Sequence, residues 1–473
     1  MSVDPGHDGS TRQVARNAAL SVAGLVIIGL VRFVEQVGAN ALFGVEALAW
    51  VTVSISVATL ATVIGPTGLS AGITKLISEL RGSRPQDASS FAALSARIAL
   101  GLTVLGAAGG FAYAFFDPSL SAGGIRLAVG VALLTLTFGV YQTGKSILYG
   151  EERIGRYVQA EMIGGGLFIA AALLVIFTDA SWAVVLPLAV AYVPVGWFAA
   201  TRLHDPIVER DRLPIRSLFG YGGVGSVGAL SGVGFTRATP LVASFLAGVP
   251  GTALVGASLA VLEPLYLAPR AIGLALLPRL SFEKAAETTK STRLVEAATG
   301  IVALVAGPFC ALLILEQDRI LQVVFSDRIV GGVTLAWFAA AFFVSVVGAP
   351  AVTSLAAIRV KDAAIPMWSS IVGFTTAGII WAVFGTRFGT EAVAAGYFVG
   401  SVLQVLAPLI VASRRYEIRW GSLWARLAVA GAAVVGPAVL FPPAVWLDAV
   451  VLSLFVAMLA PELRTLTRIL VRS

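Results

Sequence analysis

Charged residues are scarce in this sequence. Asp, Glu, Lys and Arg make up 12% of its 473 residues, whereas hydrophobic residues make up 58%. Soluble domains carry about 25% charged residues, so the composition excludes an ordinary water-soluble protein. Apolar runs of about 20 residues, the length a helix needs to cross a bilayer, recur along the chain. The runs are continuous rather than alternating, which favours membrane helices over the strands of a barrel.

Cysteine and histidine are nearly absent. The one cysteine, Cys310, lies inside an apolar run, which excludes a disulfide framework. The two histidines, His7 and His204, fall in polar connections and lack metal-ligand spacing. The sequence therefore predicts neither a metal nor another cofactor.

Long polar segments are also missing. The longest connections between apolar runs, about 82–88, 202–216 and 279–293, leave no room for a nucleotide-binding domain. The stretch GVGSVG (223–228) fits a dinucleotide-binding pattern, but it lies in an apolar run and no strand precedes it. We therefore expect a protein that is not an enzyme.

The apolar runs predict an all-α polytopic membrane protein of about fourteen transmembrane helices. The predicted spans are 14–38, 45–66, 89–116, 123–145, 157–178, 181–201, 217–246, 251–277, 294–315, 331–349, 364–385, 391–412, 423–441 and 445–461.

The basic residues predict how these spans are oriented. Of 33 Lys and Arg residues, 25 fall in one set of alternate connections. The opposite set holds only Arg126, Arg319, Arg328 and Arg387, and the spans hold Arg32, Arg97, Arg237 and Arg270. By the positive-inside rule, both termini are predicted to be cytoplasmic in a multi-pass plasma-membrane protein. The asymmetry explains the pI of about 9.7 without a nucleic-acid partner.

An internal repeat predicts two lobes. At an offset of 204 residues, Gly44 and Val45 fall on Gly248 and Val249, and TKLISE (74–79) falls on PRLSFE (278–283). A weaker match near 207 places Gly166 on Gly373. Each copy contains six spans. Because six is an even number, the two copies have the same orientation in the membrane and are related by a pseudo-two-fold axis along the membrane normal. The predicted parts are an N-terminal lobe (1–202), a cytoplasmic linker (203–216), a C-terminal lobe (217–413) and two further helices with a tail (414–473).

Several short stretches carry a resemblance to a known family. They are ARNAAL (15–20), LFGVEALAW (42–50), GLSAGITKLISELRG (68–82), GEERIGRY (150–157), LAGVPGTALVGASLAV (246–261) and IGLALLPRLSFEKA (272–285). Over about residues 12–413 the chain resembles the multidrug/oligosaccharidyl-lipid/polysaccharide (MOP) exporter superfamily, and within it the polysaccharide transporters of the O-antigen flippase type.

The resemblance implies a function in surface glycan biosynthesis. Such a flippase moves a polyprenyl- or dolichyl-linked oligosaccharide, carried on one or two phosphates, from the inner to the outer leaflet by alternating access. The implied partners are this anionic lipid-linked oligosaccharide, membrane lipids and polysaccharide assembly proteins. We expect the chain to act as a monomer.

The charges inside the spans are the candidate substrate-binding residues. A charge at mid-bilayer costs about 2.5–3.5 kcal/mol on insertion scales and usually faces protein or a wet cavity. Arg32 and Arg237 lie about 20 residues into the first and seventh spans, at nearly equivalent repeat positions. Because the guanidinium can bind phosphate through two hydrogen bonds, we expect this pair to bind the phosphate of the substrate.

Structural pairing is the alternative for these charges. Arg32 could pair with Glu35 one helical turn away, and Arg237 with Glu263 on the next span. Arg97 is a further cavity candidate. Arg270 and Glu161 lie near predicted cytoplasmic ends, where such side chains also extend toward the interface.

Two other functions remain open at this point. One is a multidrug exporter of the same superfamily, coupled to H⁺ or Na⁺ at Glu35 or Glu263, and the other is a peptidoglycan-precursor lipid flippase. Four embedded arginines favour an anionic substrate over cationic drugs. Seven glycines between Gly220 and Gly234 further predict close packing or bending of the seventh span.

Overall fold

The structure is a computed structural model, and it describes residues 6–117, 120–208, 213–266, 290–326, 329–358, 364–416, 420–440, 450 and 452–453. These residues form sixteen α-helices and several shorter helical turns. The helices are α1 (Gly6–Phe43), α2 (Val45–Thr62), α3 (Gly68–Ser83), α4 (Pro85–Phe116), α5 (Gly124–Gly150), α6 (Ile154–Phe177), α7 (Leu186–Ala191), α8 (Val193–Arg202), α9 (Ile215–Ala229), α10 (Phe235–Leu262), α11 (Lys290–Leu315), α12 (Gln317–Phe325), α13 (Gly332–Ile358), α14 (Ala364–Phe388), α15 (Thr390–Tyr416) and α16 (Gly421–Leu440).

The helices confirm the predicted all-α membrane architecture. Within the described residues, ten helical segments are long and apolar enough to cross a membrane, and α7 with α8, bent by 54°, makes an eleventh. One of the ten, Ile215–Leu262, is 48 residues long and contains the seventh predicted span and the first part of the eighth. The eighth span beyond residue 266 lies outside the described residues. The thirteenth predicted span begins as a shorter apolar helix, Leu423–Ala432. The fourteenth, 445–461, falls almost wholly outside the described residues.

Two glycines make equivalent sharp turns and support the repeat. Gly44 has φ 88° and ψ −173° between α1 and α2, and Gly248 has φ 63° and ψ −160° within α10. L-residues with a side chain rarely adopt such a positive φ, because the Cβ clashes with the backbone. Two positions that are 204 residues apart therefore share a backbone conformation with positive φ. The turn at Gly248 also explains how one continuous helical run can hold two spans.

A second pair of equivalent positions corrects the register of the weaker match. A Cβ added to Gly164 of α6 would collide with the carbonyl oxygen of Ala191, and one added to Gly373 of α14 would collide with that of Gly400. Gly166, by contrast, has open space beside it. The structural counterpart of Gly373 is thus Gly164, two residues before the predicted position. The two glycines are equivalent because each lies against a backbone carbonyl of the neighbouring helix, which the similarity of the local sequences does not reveal.

The chain divides into two compact units, residues 1–256 and 257–473. In the first unit, buried aromatic side chains of α5, α6 and the α7–α8 bend form part of the core with α1 and α2. In this unit α9 also packs along α3. In the second unit, α14 packs along α15 and α15 along α13. There the indole Nε1 of Trp381 donates a hydrogen bond of 2.9 Å to the carbonyl of Val393. The predicted lobe boundaries stay a prediction.

Candidate substrate site around Arg32

Arg32 lies on α1, half-buried, and faces aromatic rings of other helices. Its Nε donates a 2.8 Å hydrogen bond to the hydroxyl of Tyr192. Its guanidinium carbon lies 5.4 Å from the ring centroid of Phe138 and 5.7 Å from that of Tyr192. A guanidinium at this range is attracted by the ring faces, more strongly where water is excluded. The arginine is therefore held in the span by an aromatic wall.

The wall depends on the break between α7 and α8. Tyr192 lies at the 54° bend, directly before the helix that begins at Val193 and carries Pro194 in its first turn. Proline is tolerated at that position because its missing N–H would have no helical partner there. The Tyr192 ring packs against Tyr141 at 4.9 Å and Phe138 at 5.3 Å between centroids. The bend thus places the hydroxyl of Tyr192 at Arg32.

Glu161 of α6 is bound to the same aromatic wall. It is 1% exposed, and its Oε1 accepts a 2.6 Å hydrogen bond from the hydroxyl of Tyr141. The hydroxyl of Tyr157 lies 3.4 Å from that of Tyr141. The Nζ of Lys145 lies 5.4 Å from the Tyr157 ring centroid, and Glu161 interacts electrostatically with both Lys145 and Arg32. The side chain of Glu161 is thus held inside the unit rather than extended to an interface.

These seven residues form one arrangement, called here the arginine–tyrosine cluster. Its members are Arg32, Phe138, Tyr141, Lys145, Tyr157, Glu161 and Tyr192. Two cations face one carboxylate, and three phenol hydroxyls can donate or accept hydrogen bonds. The cluster holds two basic side chains against one carboxyl group, so its chemistry suits an anion with several oxygen acceptors.

Glu35 lies near Arg32 in sequence but in a different environment. Its side chain is 5% exposed, and Oε1 is buried without a hydrogen-bond partner among the described residues. The hydrogen bond of the Arg32 Nε goes to Tyr192. The alternative in which Arg32 pairs with Glu35 is therefore not seen among the described residues.

Arg97 has a local structural role. Its side chain is exposed, and its guanidinium donates hydrogen bonds of 3.0 Å to the carbonyl of Leu203 and 2.9 Å to that of Asp205. Both carbonyls belong to the turn that follows α8, outside the hydrogen-bonded part of the helix. The structure thus places Arg97 at the end of α8 and not in the arginine–tyrosine cluster.

The remaining predicted residues lie elsewhere. Arg237 is half-buried in the first turn of α10, and Glu263 begins the helical turn Glu263–Tyr266 in the second unit. Arg270 lies outside the described residues. The convergence of Arg32 and Arg237 on one phosphate stays a prediction.

Four polar members of the cluster were missed by sequence reasoning: Tyr141, Lys145, Tyr157 and Tyr192. One feature of the sequence, a spacing of four residues, could have identified three of them. Tyr141 precedes Lys145 by four residues and Tyr157 precedes Glu161 by four, so each pair shares a helix face. Tyr192 has no such signal, because its position depends on the bend.

The chain was then compared with known proteins. No protein-family model matches the sequence, and no curated protein is similar to it. Solved structures do match. An inward-facing multidrug resistance MATE family transporter of the MOP superfamily is 18% identical, with a TM-score of 0.61 over 85% of this chain and 94% of its own.

Two further structures widen the comparison. A MOP superfamily transporter from Pyrococcus furiosus is 18% identical, with a TM-score of 0.62 over 86% of this chain and 95% of its own. The lipid II flippase MurJ, in an inward closed conformation, is 13% identical, with a TM-score of 0.67 over 96% of this chain and 99% of its own. At these identities the likeness concerns the fold: the chain has the all-helical membrane fold of MATE transporters of the MOP superfamily and of MurJ.

Proposed function

We propose that this chain is a flippase of the MOP superfamily, of the O-antigen type. It translocates a lipid-linked oligosaccharide, attached through one or two phosphates to a polyprenyl or dolichyl carrier, from the inner to the outer leaflet. The observation that carries the proposal is the arginine–tyrosine cluster, in which Arg32 and Lys145 outnumber the single carboxylate of Glu161 inside an apolar unit. Such a cluster favours an anionic substrate group.

The Arg32 guanidinium is the proposed phosphate ligand. Its Nε bond to Tyr192 and its two ring contacts fix the plane of the guanidinium. A fixed planar donor loses less conformational entropy when it binds two phosphate oxygens than a flexible ammonium does. Glu161 can lower the net charge of the cluster and so limits the cost of two partly buried cations.

A contact between α3 and α9 suits the alternating access of such a protein. Lys75 Nζ donates a 2.5 Å hydrogen bond to the hydroxyl of Tyr221 and lies 4.2 Å from its ring centroid. Lys75 also pairs with Glu79 at 3.7 Å. These groups are exposed at the end predicted to be cytoplasmic, so the contact can break at small cost. We propose that it opens when substrate enters from the inner leaflet.

The fold neighbours support this function and one alternative. The lipid II flippase supports lipid movement between leaflets, and a lipid II-like peptidoglycan precursor is the close variant of the proposed substrate. The multidrug resistance transporters support an ion-coupled drug exporter. The buried Oε1 of Glu35, which has no hydrogen-bond partner among the described residues, favours that alternative, because such a carboxylate suits H⁺ or Na⁺ binding. We further propose a plasma-membrane location with both termini in the cytoplasm, and polysaccharide assembly proteins as partners.

Transport in reconstituted vesicles tests the proposal. The probe is a fluorescent polyprenyl-diphosphate sugar, and its flipping is measured by access of an external quencher. We expect Arg32→Ala to slow flipping at least tenfold, and Arg32→Lys to slow it less, because lysine keeps the charge but loses the planar fork. Arg153→Ala is the matched control, since Arg153 is exposed and lies outside the cluster, and its partner Glu151 keeps an ion pair with Arg202. Unchanged flipping in Arg32→Ala would contradict phosphate binding there.

An imposed ion gradient separates the two functions. For a drug exporter coupled through Glu35, export of a cationic dye should respond to a H⁺ or Na⁺ gradient, and Glu35→Gln should abolish that response. If the chain is the proposed flippase, the sugar-lipid should move between the leaflets and the cationic dye should not. Dye export with no movement of the sugar-lipid would replace the proposed function by the alternative.

A further inference from the structure

A cavity of about 540 Å³ lies within the second unit, between α13, α15 and the start of α16. This volume is within the range of small-molecule sites, about 300–1,000 Å³. The residues that line it include none from the arginine–tyrosine cluster. It is therefore a separate candidate for ligand binding.

One wall of the cavity is long and apolar. It consists of Val402, Val405, Leu406, Leu409 and Ile410, which follow one face of α15, and α13 adds Val344. The helix rises about 12 Å from Val402 to Ile410. Leu406 is 46% exposed and Ile410 43%, so this wall is open at one side. Its shape suits a hydrocarbon chain and not a sugar.

The other end of the cavity is polar and basic. Arg414 is exposed there, next to Trp420 and Gly421. The Trp420 side chain is only 3% exposed, and its indole Nε1 has no hydrogen-bond acceptor among the described residues. The first N–H groups of α16, which begins at Gly421, add positive potential at the same end.

We propose that this cavity binds one anionic phospholipid, with an acyl chain along α15 and the phosphate at Arg414. The apolar wall and the basic end together require an amphiphile, whereas a free phosphate would leave the wall unused. Arg414 lies on the predicted cytoplasmic side, where the leaflet is rich in anionic lipids and tryptophan favours the interface. None of the described residues covers the open side, which gives the bulk lipid of that leaflet access to this part of the chain. The proposal is independent of the transported substrate.

Native mass spectrometry of the purified full-length protein tests it. Phosphatidylglycerol and phosphatidylcholine with the same acyl chains are compared, and we expect one retained phosphatidylglycerol. Arg414→Gln should lower its retention about fivefold, equivalent to about 1 kcal/mol, and leave phosphatidylcholine unchanged. Leu406→Trp should lower retention of both lipids by filling the apolar wall. Arg426→Gln on α16 is the matched control, because Arg426 does not line the cavity, and it should retain the lipid as the parent does.

Four outcomes would overturn the proposal. They are equal retention of the two lipids, an equal loss in the Arg414 and Arg426 variants, displacement of the lipid by glycerol phosphate, and preferential displacement by polyprenyl phosphate. The third would indicate a site for the phosphate group alone, and the fourth a site for a carrier lipid. Monodisperse gel filtration of each variant shows that lost binding does not reflect unfolding.

Discussion

At the scale of single residues, the environment of Arg32 explains how a charge is kept inside an apolar span. The hydrogen bond to Tyr192 and the faces of two rings replace part of its hydration. The sequence singled out both Arg32 and Glu161, since each is a charge in an apolar run. It could not show that they belong to one cluster, because Tyr192 and Tyr141 connect them across α1, α5, α6 and the α7–α8 bend.

Glu161 is expected to stabilise this cluster. In Glu161→Leu the buried hydroxyl of Tyr141 loses its acceptor, and Lys145 and Arg32 lose the carboxylate beside them. We expect a loss of about 1–3 kcal/mol in the free energy of unfolding, seen as a lower thermal midpoint in detergent. Glu161→Gln keeps an acceptor oxygen and should lose less.

The control for this prediction is Glu152→Gln, because Glu152 is exposed at the turn before α6. Its thermal midpoint should stay at that of the parent. If Glu161→Leu were as stable as Glu152→Gln, the carboxylate would not hold the cluster together.

At the scale of helices, the glycines of the seventh span serve two purposes. Gly222 and Gly225 allow α9 to approach α3, since a Cβ at these positions would collide with Leu69 and with the carbonyl of Gly68. The segment Leu230–Gly234 is instead a π-helical turn between α9 and α10. Close packing and irregular helix thus occur in one span. The glycine density predicted close packing or bending, and only the contacts show which glycines are packed against another helix.

Gly225 tests the packing role. Gly225→Ala should destabilise the protein by about 1–3 kcal/mol, because the new methyl group overlaps the backbone of Gly68. Gly223→Ala, two residues away with open space around it, should be neutral or stabilising by up to about 1 kcal/mol. Thermal unfolding of both variants in detergent gives the comparison. Equal midpoints would show that α9 does not depend on the contact at Gly225.

At the scale of the whole molecule, the sequence predicted the number and order of the spans well. Apolar runs are long, and each one carries its own signal, so the first twelve predicted spans correspond to described helices or helix pairs, the eighth over its first part only. The cavity beside α15 was not predicted, because it depends on which faces of three helices meet. Orientation stays a prediction that rests on the distribution of 33 basic residues.

The two ends of α6 offer a direct test of orientation. Arg156 and Thr178 are exposed and about 33 Å apart along the helix. We expect a membrane-impermeant maleimide to label Thr178→Cys in intact cells, and Arg156→Cys only after lysis. The native thiol is buried at Cys310 and should not react, so the parent chain is the control. The reverse labelling pattern would place both termini outside.

The equivalent glycine positions also record how the two copies of the repeat diverged. Gly44 and Gly248 are 204 residues apart, Gly124 and Gly331 are 207 apart, and Gly164 and Gly373 are 209 apart. The partners of the last pair, Ala191 and Gly400, are again 209 apart. The offset between the two copies thus grows by three and then by two residues along the chain. It then stays at 209 for both partners of the tightly packed helix hairpins, because a change of length between them would break that backbone contact.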